Sequence, residues 1–360
     1  MRRLLRRILI MANIAVALSL ALSYLSVHIA PDTITLPAFF GLLYPYLLLL
    51  NIIMVIVWAV NLSGYSAISL AVIIAGLTHH GNYIQLFDSS NPESGSQLTI
   101  ITYNVELFNH YEGAGTNTTE HYISSIIEEE MPDIISFQEY YVVGPESDTE
   151  ALIKEAMGGN ASSHIKLLGK GRERYYGIAT FSTHPIINRG EIIHPNSASL
   201  TIYSDIVIAD DTIRVFNNHL QSFMLNPIEH TFIEELSARG EDAISEVRGV
   251  LGALGSEYRK RALQARVVRA FIDQSPYPVI VLGDFNDTPV SYAYRTIRGS
   301  LKDSFVSAGY GAGFTYRGPY PSNRIDYILH DKRFRTLNSS VIRRGISDHY
   351  PLKTSLSLSD

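Results

Sequence analysis

An almost uncharged stretch at the start of this 360-residue chain constrains its fold more than any other feature. Between Ile8 and Thr78 the only Asp, Glu, Lys or Arg is Asp32. A helix that crosses the hydrocarbon layer of a membrane needs roughly 20 consecutive apolar residues, and this stretch is long enough for several. The sequence therefore predicts a membrane anchor over residues 1–80.

Three apolar segments divide this anchor, and they predict transmembrane helices over about 8–30, 36–60 and 62–78. The third segment is short, so two spans followed by an interfacial segment are the alternative. A cleaved signal peptide fits poorly. The first apolar run exceeds the usual 7 to 15 residues or so, and Val27–Ala30 lacks a small-x-small cleavage site.

The orientation of the anchor follows from its arginines. Arg2, Arg3, Arg6 and Arg7 precede the first apolar segment, and positive charge is retained on the cytoplasmic side of a membrane. Three spans would place the rest of the chain outside the cytoplasm, whereas two would leave it inside. We predict three spans and an extracytoplasmic globular domain.

The remainder of the chain has the composition of a globular domain. Residues 81–96 are rich in Gly, Ser and Asn and predict a linker, which leaves residues 97–360 for the domain. Residues 1–90 hold only four of the 29 basic and two of the 35 acidic side chains, so residues 91–360 carry a net charge of −8. That charge argues against a protein that coats nucleic acid non-specifically. The absence of cysteine excludes disulfides, thiolate metal sites and cysteine nucleophiles.

Short β-branched runs alternate with helical segments along the domain. The predicted strands are Leu98–Val105, Asp133–Phe137, Ile178–Phe181, Ser199–Ala209, Thr212–Asn217, Pro278–Leu282 and Arg324–Leu329. The predicted helices are Thr119–Glu130, Ser291–Ile297 and two helices within Ile228–Gln274, separated near Gly249–Gly255. Some of the strand runs are continuously apolar and others alternate, which indicates an α/β domain with two packed sheets flanked by helices.

Polar side chains follow several of these strands directly. The runs end in Asn104, in Gln138-Glu139, in Asn217-Asn218-His219 and in Gly283–Asp287. Strand ends hold side chains rigidly and often face a shared cleft in α/β enzymes. Asn and Asp are also common in turns, so each case taken alone has a structural alternative.

Two denser clusters lie near the C-terminus, Asn323–Tyr327 and Ser347–Pro351. An adjacent Asp and His, with a second Asp free to orient the imidazole, suit chemistry on a phosphate. Oxygen ligands such as Asn104, Glu139 and Asp348 suit a hard cation, Mg²⁺ or alternatively Mn²⁺. Zinc is disfavoured because the chain has neither a His-x-x-x-His pair nor a cysteine set.

Taken in order, these blocks resemble the endonuclease/exonuclease/phosphatase family, which includes deoxyribonucleases, abasic-site endonucleases, neutral sphingomyelinases and inositol-polyphosphate phosphatases. The resemblance covers residues 97–360 and rests on six ordered blocks: Thr102–Asn104, Gln138-Glu139, Asn218–Leu220, Gly283–Asn286, Arg324–Ile328 and Ser347–Pro351. It implies a four-layer α/β/β/α sandwich with the site at the strand ends. With the anchor, it indicates a membrane-anchored, bacterial-type member located in the inner or plasma membrane.

The resemblance also implies roles for individual residues. Asn104 and Glu139 match the metal site of the family, with Asp348 as a further ligand. Asp284 matches the carboxylate that deprotonates the attacking water, and Asn286 matches the amide that helps to hold water and phosphate.

Three further residues match groups that act on the phosphate. His349 matches the histidine on the scissile phosphate, and Asp326 matches the carboxylate that orients it. His219 matches the second histidine that faces the phosphate.

The sequence thus predicts a metal-dependent hydrolase of phosphodiester bonds, nuclease-like, with the bilayer and a phosphoester substrate as partners and no protein partner implied. A phospholipid, sphingomyelin or inositol-phosphate phosphoesterase is the alternative, and a non-catalytic membrane-tethered binding module is a third reading. The basic segment Arg259–Arg269 is interpreted either as a solvated helical face or as a surface for a polyanionic substrate.

Overall fold

The protein is described here by a computed structural model that covers residues 2–87, 97–109, 116–143, 148–169, 174–195, 197, 199–223, 242–318 and 323–358. The helices in these ranges are α1 (Arg2–Leu25), α2 (Leu36–Leu42), α3 (Tyr44–Val60), α4 (Ser66–Ala75), α5 (Leu77–Tyr83), α6 (Thr116–Glu130), α7 (Thr149–Ala156), α8 (Asp242–Asp273), α9 (Tyr292–Arg298) and α10 (Ser304–Ala308). The strands are β1 (Leu98–Asn104), β2 (Ile134–Val143), β3 (Ser162–Gly169), β4 (Arg174–Ser182), β5 (Ile186–Ile192), β6 (Leu200–Ile208), β7 (Asp211–His219), β8 (Val279–Asp284), β9 (Lys302–Asp303), β10 (Asp326–His330), β11 (Phe334–Val341) and β12 (Leu352–Leu358).

The chain forms two compact units, and each is discontinuous in sequence. The first unit contains the N-terminal helices and two later segments: Met1–Asn82, Gln221–Arg266 and Asp287–Thr296. The second unit contains all the strands: Tyr83–Leu220, Val267–Asn286 and Ile297–Asp360. The first break, after Asn82, lies near the predicted end of the anchor, but the two later segments of the first unit were not expected from the sequence.

Two six-stranded sheets form the second unit. Their strand orders are β11-β12-β1-β2-β4-β3 and β5-β6-β7-β8-β10-β9, and the parallel pairs β1/β2 and β7/β8 lie at the centre of each. Apolar side chains of both sheets share one buried core, to which Ile100 and Ile134 contribute from one sheet and Val215, Ile280 and Ile328 from the other. This confirms the predicted fold of two packed sheets.

Helices cover the outer faces of the sheets. Ile123, Ile127 and Ile153 of α6 and α7 pack on the first sheet in a second buried cluster. Near the end of α8, Phe271 packs against Tyr203 of the second sheet. Ile123 and Ile127 lie four residues apart on α6, which is how an amphipathic helix buries one face.

Two predictions of secondary structure were wrong. Helix α8 runs without a break through the predicted interruption at Gly249–Gly255. A glycine in a helix costs only about 1 kcal/mol relative to alanine, which tertiary packing readily offsets. The proposed helical residues 228–241 lie outside the described ranges. Strands β3, β5, β9, β11 and β12 were missed, because polar residues interrupt their apolar pattern.

The N-terminal helices form a bundle with polar contacts inside. Asn13 donates to the carbonyl of Tyr65 at 3.0 Å and accepts from the Ser69 hydroxyl at 2.7 Å, and Asn51 donates to the carbonyl of Val16 at 3.1 Å. Large apolar side chains point outward instead and are exposed: Leu4, Leu5, Ile8, Met11, Leu18, Leu49, Leu50, Ile53, Ile56, Val60, Leu70 and Ile74. Buried polar side chains and many exposed large apolar ones are therefore both present in this bundle, although Leu20 and Trp58 are buried.

Among the described residues, one helix is long and apolar enough to cross a membrane, Arg3–Leu25. Helices α2 and α3 meet at 72° and provide a second span only if the pair counts as one broken span. Helix α4 has 10 residues and, at 1.5 Å per residue, is about 15 Å long, half of the roughly 30 Å hydrocarbon layer. The three predicted spans therefore stay a prediction.

The basic segment of α8 is engaged within the first unit. Arg261 has no exposed surface, lies 3.2 Å from the Asp287 carboxylate and donates to the carbonyl of Gln221 at 2.9 Å. Arg266 forms an ion pair with Asp32, the single charge of the apolar stretch, at 2.6 Å. Neither the solvated face nor the polyanion surface expected from the sequence describes Arg261, whereas Arg266 stays partly exposed in its ion pair.

Candidate active site

Strand pairing brings the predicted catalytic residues of the second sheet into register. Asp284 at the end of β8 lies opposite His219 at the end of β7 and opposite Asp326 at the start of β10. Asn104 ends β1 in the other sheet and donates from Nδ2 to Asp284 Oδ2 at 3.0 Å. The two sheets thus converge on the Asp284 carboxylate.

Asp284 is held by several donors. The backbone N–H of Asn286 donates to Oδ1 at 2.7 Å, and the side-chain amide of Asn286 donates to Oδ2 at 3.1 Å. The same amide donates to the carbonyl of Leu220 at 3.1 Å, which ties the ends of β7 and β8 together. Asn286 has φ 51°, in the left-handed region that Asn tolerates better than most residues. It orients the carboxylate.

A β-bulge presents Glu139 to this site. The pairing of β2 with β4 shifts between Gln138 and Tyr140, and Glu139 itself has φ 54°. A bulge turns a side chain out of the regular alternation of a strand. The Glu139 carboxylate consequently lies 3.6 Å from His219 Nε2 and 3.4 Å from Asn104 Nδ2.

His349 lies between three carboxylates. Its Nδ1 is 2.9 Å from Asp326 Oδ2, and its Nε2 is 3.9 Å from both Asp284 Oδ2 and Asp348 Oδ1. Asp326 and His349 are buried, with 1% and 4% of their surface exposed. Asp326 thus fixes the ring and leaves Nε2 directed at the centre of the site.

His219 supplies a second imidazole. Its Nε2 lies 3.6 Å from Glu139 and 3.9 Å from Asp284, beyond hydrogen-bonding distance of either. This atom is buried and has no hydrogen-bond partner among the residues that the structure describes. A buried polar atom without a partner is unfavourable, and an oxygen of a bound phosphate would satisfy it.

The orientation of Asn104 differs from the one expected for a metal ligand. Its Oδ1 accepts from the backbone N–H of Glu106 at 3.0 Å, so its Nδ2 must face Asp284 and Glu139. In this arrangement Asn104 Nδ2 donates to both carboxylates, and the role of Asn104 as a metal ligand stays a prediction. Glu139 and Asp348 have the oxygens for that task.

The electrostatics of the site are dominated by carboxylates. Burial raises the pKa of Asp284, and the charge of Asp326 adds to this while His349 opposes it. Burial likewise raises the pKa of Asp348, with Glu139 adding to the effect. For His349, burial lowers the pKa, but Asp326 and Asp284 outweigh it, so the pKa lies well above its usual range. One imidazolium does not balance these acids.

A divalent cation fits this donor set. Carboxylate oxygens are what Mg²⁺ and Mn²⁺ prefer, and a cation would offset the charge that burial makes unfavourable. The Asp284, Asp326 and His349 ligand atoms also lie within 4.8 Å of one another. Asp326 and His349 already form a hydrogen bond with each other, however, so Glu139, Asp284 and Asp348 are the better candidates for metal ligands.

Several contacts that hold the site were not predicted from the sequence, and two of the residues that make them, Glu106 and Arg317, were not identified at all. Glu106 accepts from the backbone N–H of Asp348 at 2.8 Å, and Ser347 donates to the carbonyl of Asn104 at 2.7 Å. Arg317 donates to the carbonyls of Ser347 and Gly345 at 2.7 and 2.9 Å. These contacts join segments far apart in sequence, so no local pattern reveals them.

Comparison with known proteins identifies sequence profiles that match two parts of the chain. The sequence profile of the Endonuclease/Exonuclease/phosphatase family matches residues 101–349, and that of a domain of unknown function matches residues 6–83. A search of curated proteins gave no match.

Solved structures share the fold at low sequence identity. A family protein from Leptotrichia buccalis is 18% identical with a TM-score of 0.53, covering 72% of this chain and all of that one. D. rerio TDP2 complexed with a single-strand DNA product is 15% identical with a TM-score of 0.52, covering 73% and 100%. A Bacteroides thetaiotaomicron mannosyl-6-phosphatase is 17% identical with a TM-score of 0.51, covering 72% and 100%.

Proposed function

Because the chain belongs to the endonuclease/exonuclease/phosphatase family, whose members are metal-dependent phosphoester hydrolases, we propose that it is a membrane-anchored, nuclease-like phosphodiesterase. One observation carries the proposal. The carboxylates of Glu139, Asp284 and Asp348 and the imidazoles of His219 and His349 converge with separations of 3.6 to 3.9 Å. This arrangement can receive a phosphate and a water together.

We assign the residues as follows. Glu139 and Asp348 hold a divalent cation, Mg²⁺ or Mn²⁺, with Asp284 beside them. Such a cation supplies positive charge that offsets the charge developing on the phosphate oxygens. The carboxylate chemistry and the burial that raises the pKa of Asp284 and Asp348 support this assignment.

The reaction is an attack of water on phosphorus. The oxygen of the water forms a bond to phosphorus while the bond from phosphorus to the leaving oxygen breaks. Asp284 accepts one proton of the attacking water, and the leaving oxygen takes up a proton from solvent water to become a hydroxyl. His349 and His219 donate to the phosphate oxygens as negative charge builds on them.

The orientation of Asp284 prepares this step. Asn104 and Asn286 donate to its oxygens at 2.7 to 3.1 Å, so the carboxylate enters the reaction already in place. Such preorganisation lowers the barrier because no rearrangement is needed during the reaction. Asn286 is therefore a positioning residue in this proposal.

The membrane anchor is part of the proposal. Its support is the bundle with polar contacts inside and apolar side chains outside, together with the helix Arg3–Leu25. We propose that three spans carry the catalytic domain out of the cytoplasm. Protease digestion of intact spheroplasts tests this, because a domain that survives until lysis would contradict the three-span arrangement.

A direct test uses the full-length protein in detergent with Mg²⁺, Mn²⁺ or EDTA. The substrates are plasmid, single-stranded oligonucleotide, sphingomyelin and an inositol trisphosphate. We expect nucleic acid to be cleaved, and Asp284→Asn and His349→Ala to reduce the rate by orders of magnitude because both residues act in the transition state. If folded protein hydrolyses none of these substrates, the proposal is contradicted.

The second candidate is a phosphoesterase of lipid head groups. The apolar outer surface of the bundle favours it, because a bilayer there would bring lipid near the domain. Cleavage of sphingomyelin in preference to the oligonucleotide would support the lipid phosphoesterase over the nuclease. A biological effect that survives Asp284→Asn would instead indicate a non-catalytic binding module.

A further inference from the structure

Two arginines flank the tyrosine that follows the catalytic histidine. The Cζ atoms of Arg317 and Arg343 lie 5.1 and 5.8 Å from the ring centroid of Tyr350, the residue directly after His349. Tyr350 is half-buried and its backbone N–H donates to the carbonyl of Thr315 at 2.7 Å, while both arginines are exposed. The ring therefore fixes two guanidinium groups at the edge of the site.

The charges of these two arginines are not balanced locally. In the described part of the chain, neither Arg317 nor Arg343 has a carboxylate within ion-pair distance, whereas the adjacent Arg344 lies 2.6 Å from Glu129. Arg317 is oriented by carbonyl groups only. Residues 91–360 carry a net charge of −8, so two guanidinium groups without a carboxylate partner among the described residues are a local exception beside the catalytic turn. They would attract an anion there.

A cavity of about 330 Å³ adjoins Arg343. Its lining combines aromatic rings with amide and hydroxyl groups, namely Phe305, Tyr310, Asn338, Ser339 and Ser340. Tyr310 is 69% exposed, which is unusual for so large a ring. An exposed ring beside hydrogen-bonding groups suits a planar heterocycle such as a nucleobase. The base can stack on the ring and form hydrogen bonds with the amide and hydroxyl groups.

We propose that Arg317, Arg343 and Tyr310 form a binding track for a single-stranded nucleic acid that leads away from the scissile phosphate, an inference that rests on the proposed function. A phosphodiester chain carries a phosphate at every nucleotide, so the phosphates next to the scissile one meet the guanidinium groups, which bind phosphate with two hydrogen bonds. A base beyond them stacks on Tyr310. A lipid head group with one phosphate leaves both arginines unused.

Arg343→Gln in the full-length protein tests the track, because within the described ranges Arg343 packs on Tyr350 and makes no hydrogen bond or ion pair to a catalytic residue. Turnover of a short labelled single-stranded oligonucleotide should show KM raised about tenfold and kcat unchanged, as for the loss of one charged hydrogen-bonded contact. The slope of log(kcat/KM) against log[NaCl] should fall in magnitude by about 0.7, the contribution of one single-strand phosphate contact. Arg333→Gln is the matched control, since Arg333 is an exposed arginine at the opposite end of β11.

Tyr310→Ala supplies an independent measurement. It should raise KM for the oligonucleotide about tenfold, within the range of one lost stacking contact, and Tyr310→Phe should restore the wild-type value because the ring is kept. Both proteins should hydrolyse bis(p-nitrophenyl) phosphate at the wild-type rate, since that substrate has neither a flanking phosphate nor a nucleobase.

The outcomes separate the track from the proposed function. If wild-type protein hydrolyses neither substrate, the proposed function fails. If it hydrolyses both, but Arg343→Gln behaves like Arg333→Gln on the oligonucleotide, the track alone is wrong. If Arg343→Gln lowers kcat/KM for an inositol trisphosphate but not for the oligonucleotide, the track is also wrong. The arginines would then bind a small molecule with several phosphates.

Discussion

Replacing Asp326 by Asn removes a charge from the site while leaving its shape almost unchanged. Asp326 Oδ2 lies 2.9 Å from His349 Nδ1, and both side chains are buried. Asp326 Oδ1 has no hydrogen-bond partner within the described ranges, so the amide nitrogen of Asn can take that place without losing a contact. The Asn oxygen can then still accept from Nδ1.

The expected effect on catalysis follows from the burial of the pair. Removing one partner of a buried charge pair costs about 3 to 5 kcal/mol, because the other charge is left uncompensated. In the proposed reaction His349 must carry its proton in the transition state, so this loss falls mainly on kcat. At 1.36 kcal/mol per factor of ten, kcat should fall about 10²- to 10⁴-fold while KM changes little.

The assay measures kcat and KM for bis(p-nitrophenyl) phosphate with the full-length protein in detergent. Asp205→Asn is the control, because Asp205 is a buried carboxylate paired with Arg214 at 2.6 Å, near the other end of β7. It should lower stability but leave kcat per folded molecule unchanged. An Asp326→Asn protein that melts like the wild type and retains kcat within about threefold would refute the assignment of His349.

Three further predictions concern stability. Gly283→Ala should destabilise the fold by about 3 kcal/mol or more, because Gly283 has φ 121° and an added Cβ would lie 2.0 Å from the carbonyl oxygen of Asn218; thermal melting checks this. Asp303→Asn should cost at least about 3 kcal/mol in a denaturant titration, because it removes the carboxylate charge that lies 2.7 Å from the fully buried Arg324 guanidinium. Burial lowers the pKa of His194 from 6.5 to about 4, so the neutral form is favoured in the fold and the free energy of unfolding should decrease as pH falls from about 6.5 to about 4. The melting temperature of His194→Gln should decrease less over that window than that of the wild type. A decrease as large as in the wild type would contradict this role of His194.

The sequence predicted where most of the site lies because strand ends have a local signature. Asn104, His219 and Asp284 each end a strand, and strand pairing brings His219 and Asp284 together. Glu139 also follows an apolar run, but β2 continues past it to Val143 and a bulge presents its side chain. The pattern did not reveal how Asn104 is oriented. That depends on a hydrogen bond from Glu106, whose own backbone has φ 46°.

Other features depend on contacts that no local pattern contains. Arg261 belongs to a run of basic residues and was expected at a surface or on a ligand, yet it is buried between Tyr258 and Phe223 with Asp287 as its partner. Strand β12 reads Leu-Lys-Thr-Ser-Leu-Ser-Leu, too polar to stand out as a strand. It lies between β1 and β11 with its alternate residues Leu352, Thr354 and Leu356 buried, a placement that only the tertiary structure shows.

The central claim is that Asp284 activates a water that attacks phosphorus. Its most direct test is cleavage of an oligonucleotide in water enriched in oxygen-18, with mass analysis of the products from wild-type and Asp284→Asn protein. The account predicts one heavy oxygen in the product phosphate for the wild type, formed only when Mg²⁺ or Mn²⁺ is present, and almost none for the variant in the same time. Heavy oxygen in the product hydroxyl rather than in the phosphate, or equal labelling by both proteins, would contradict it.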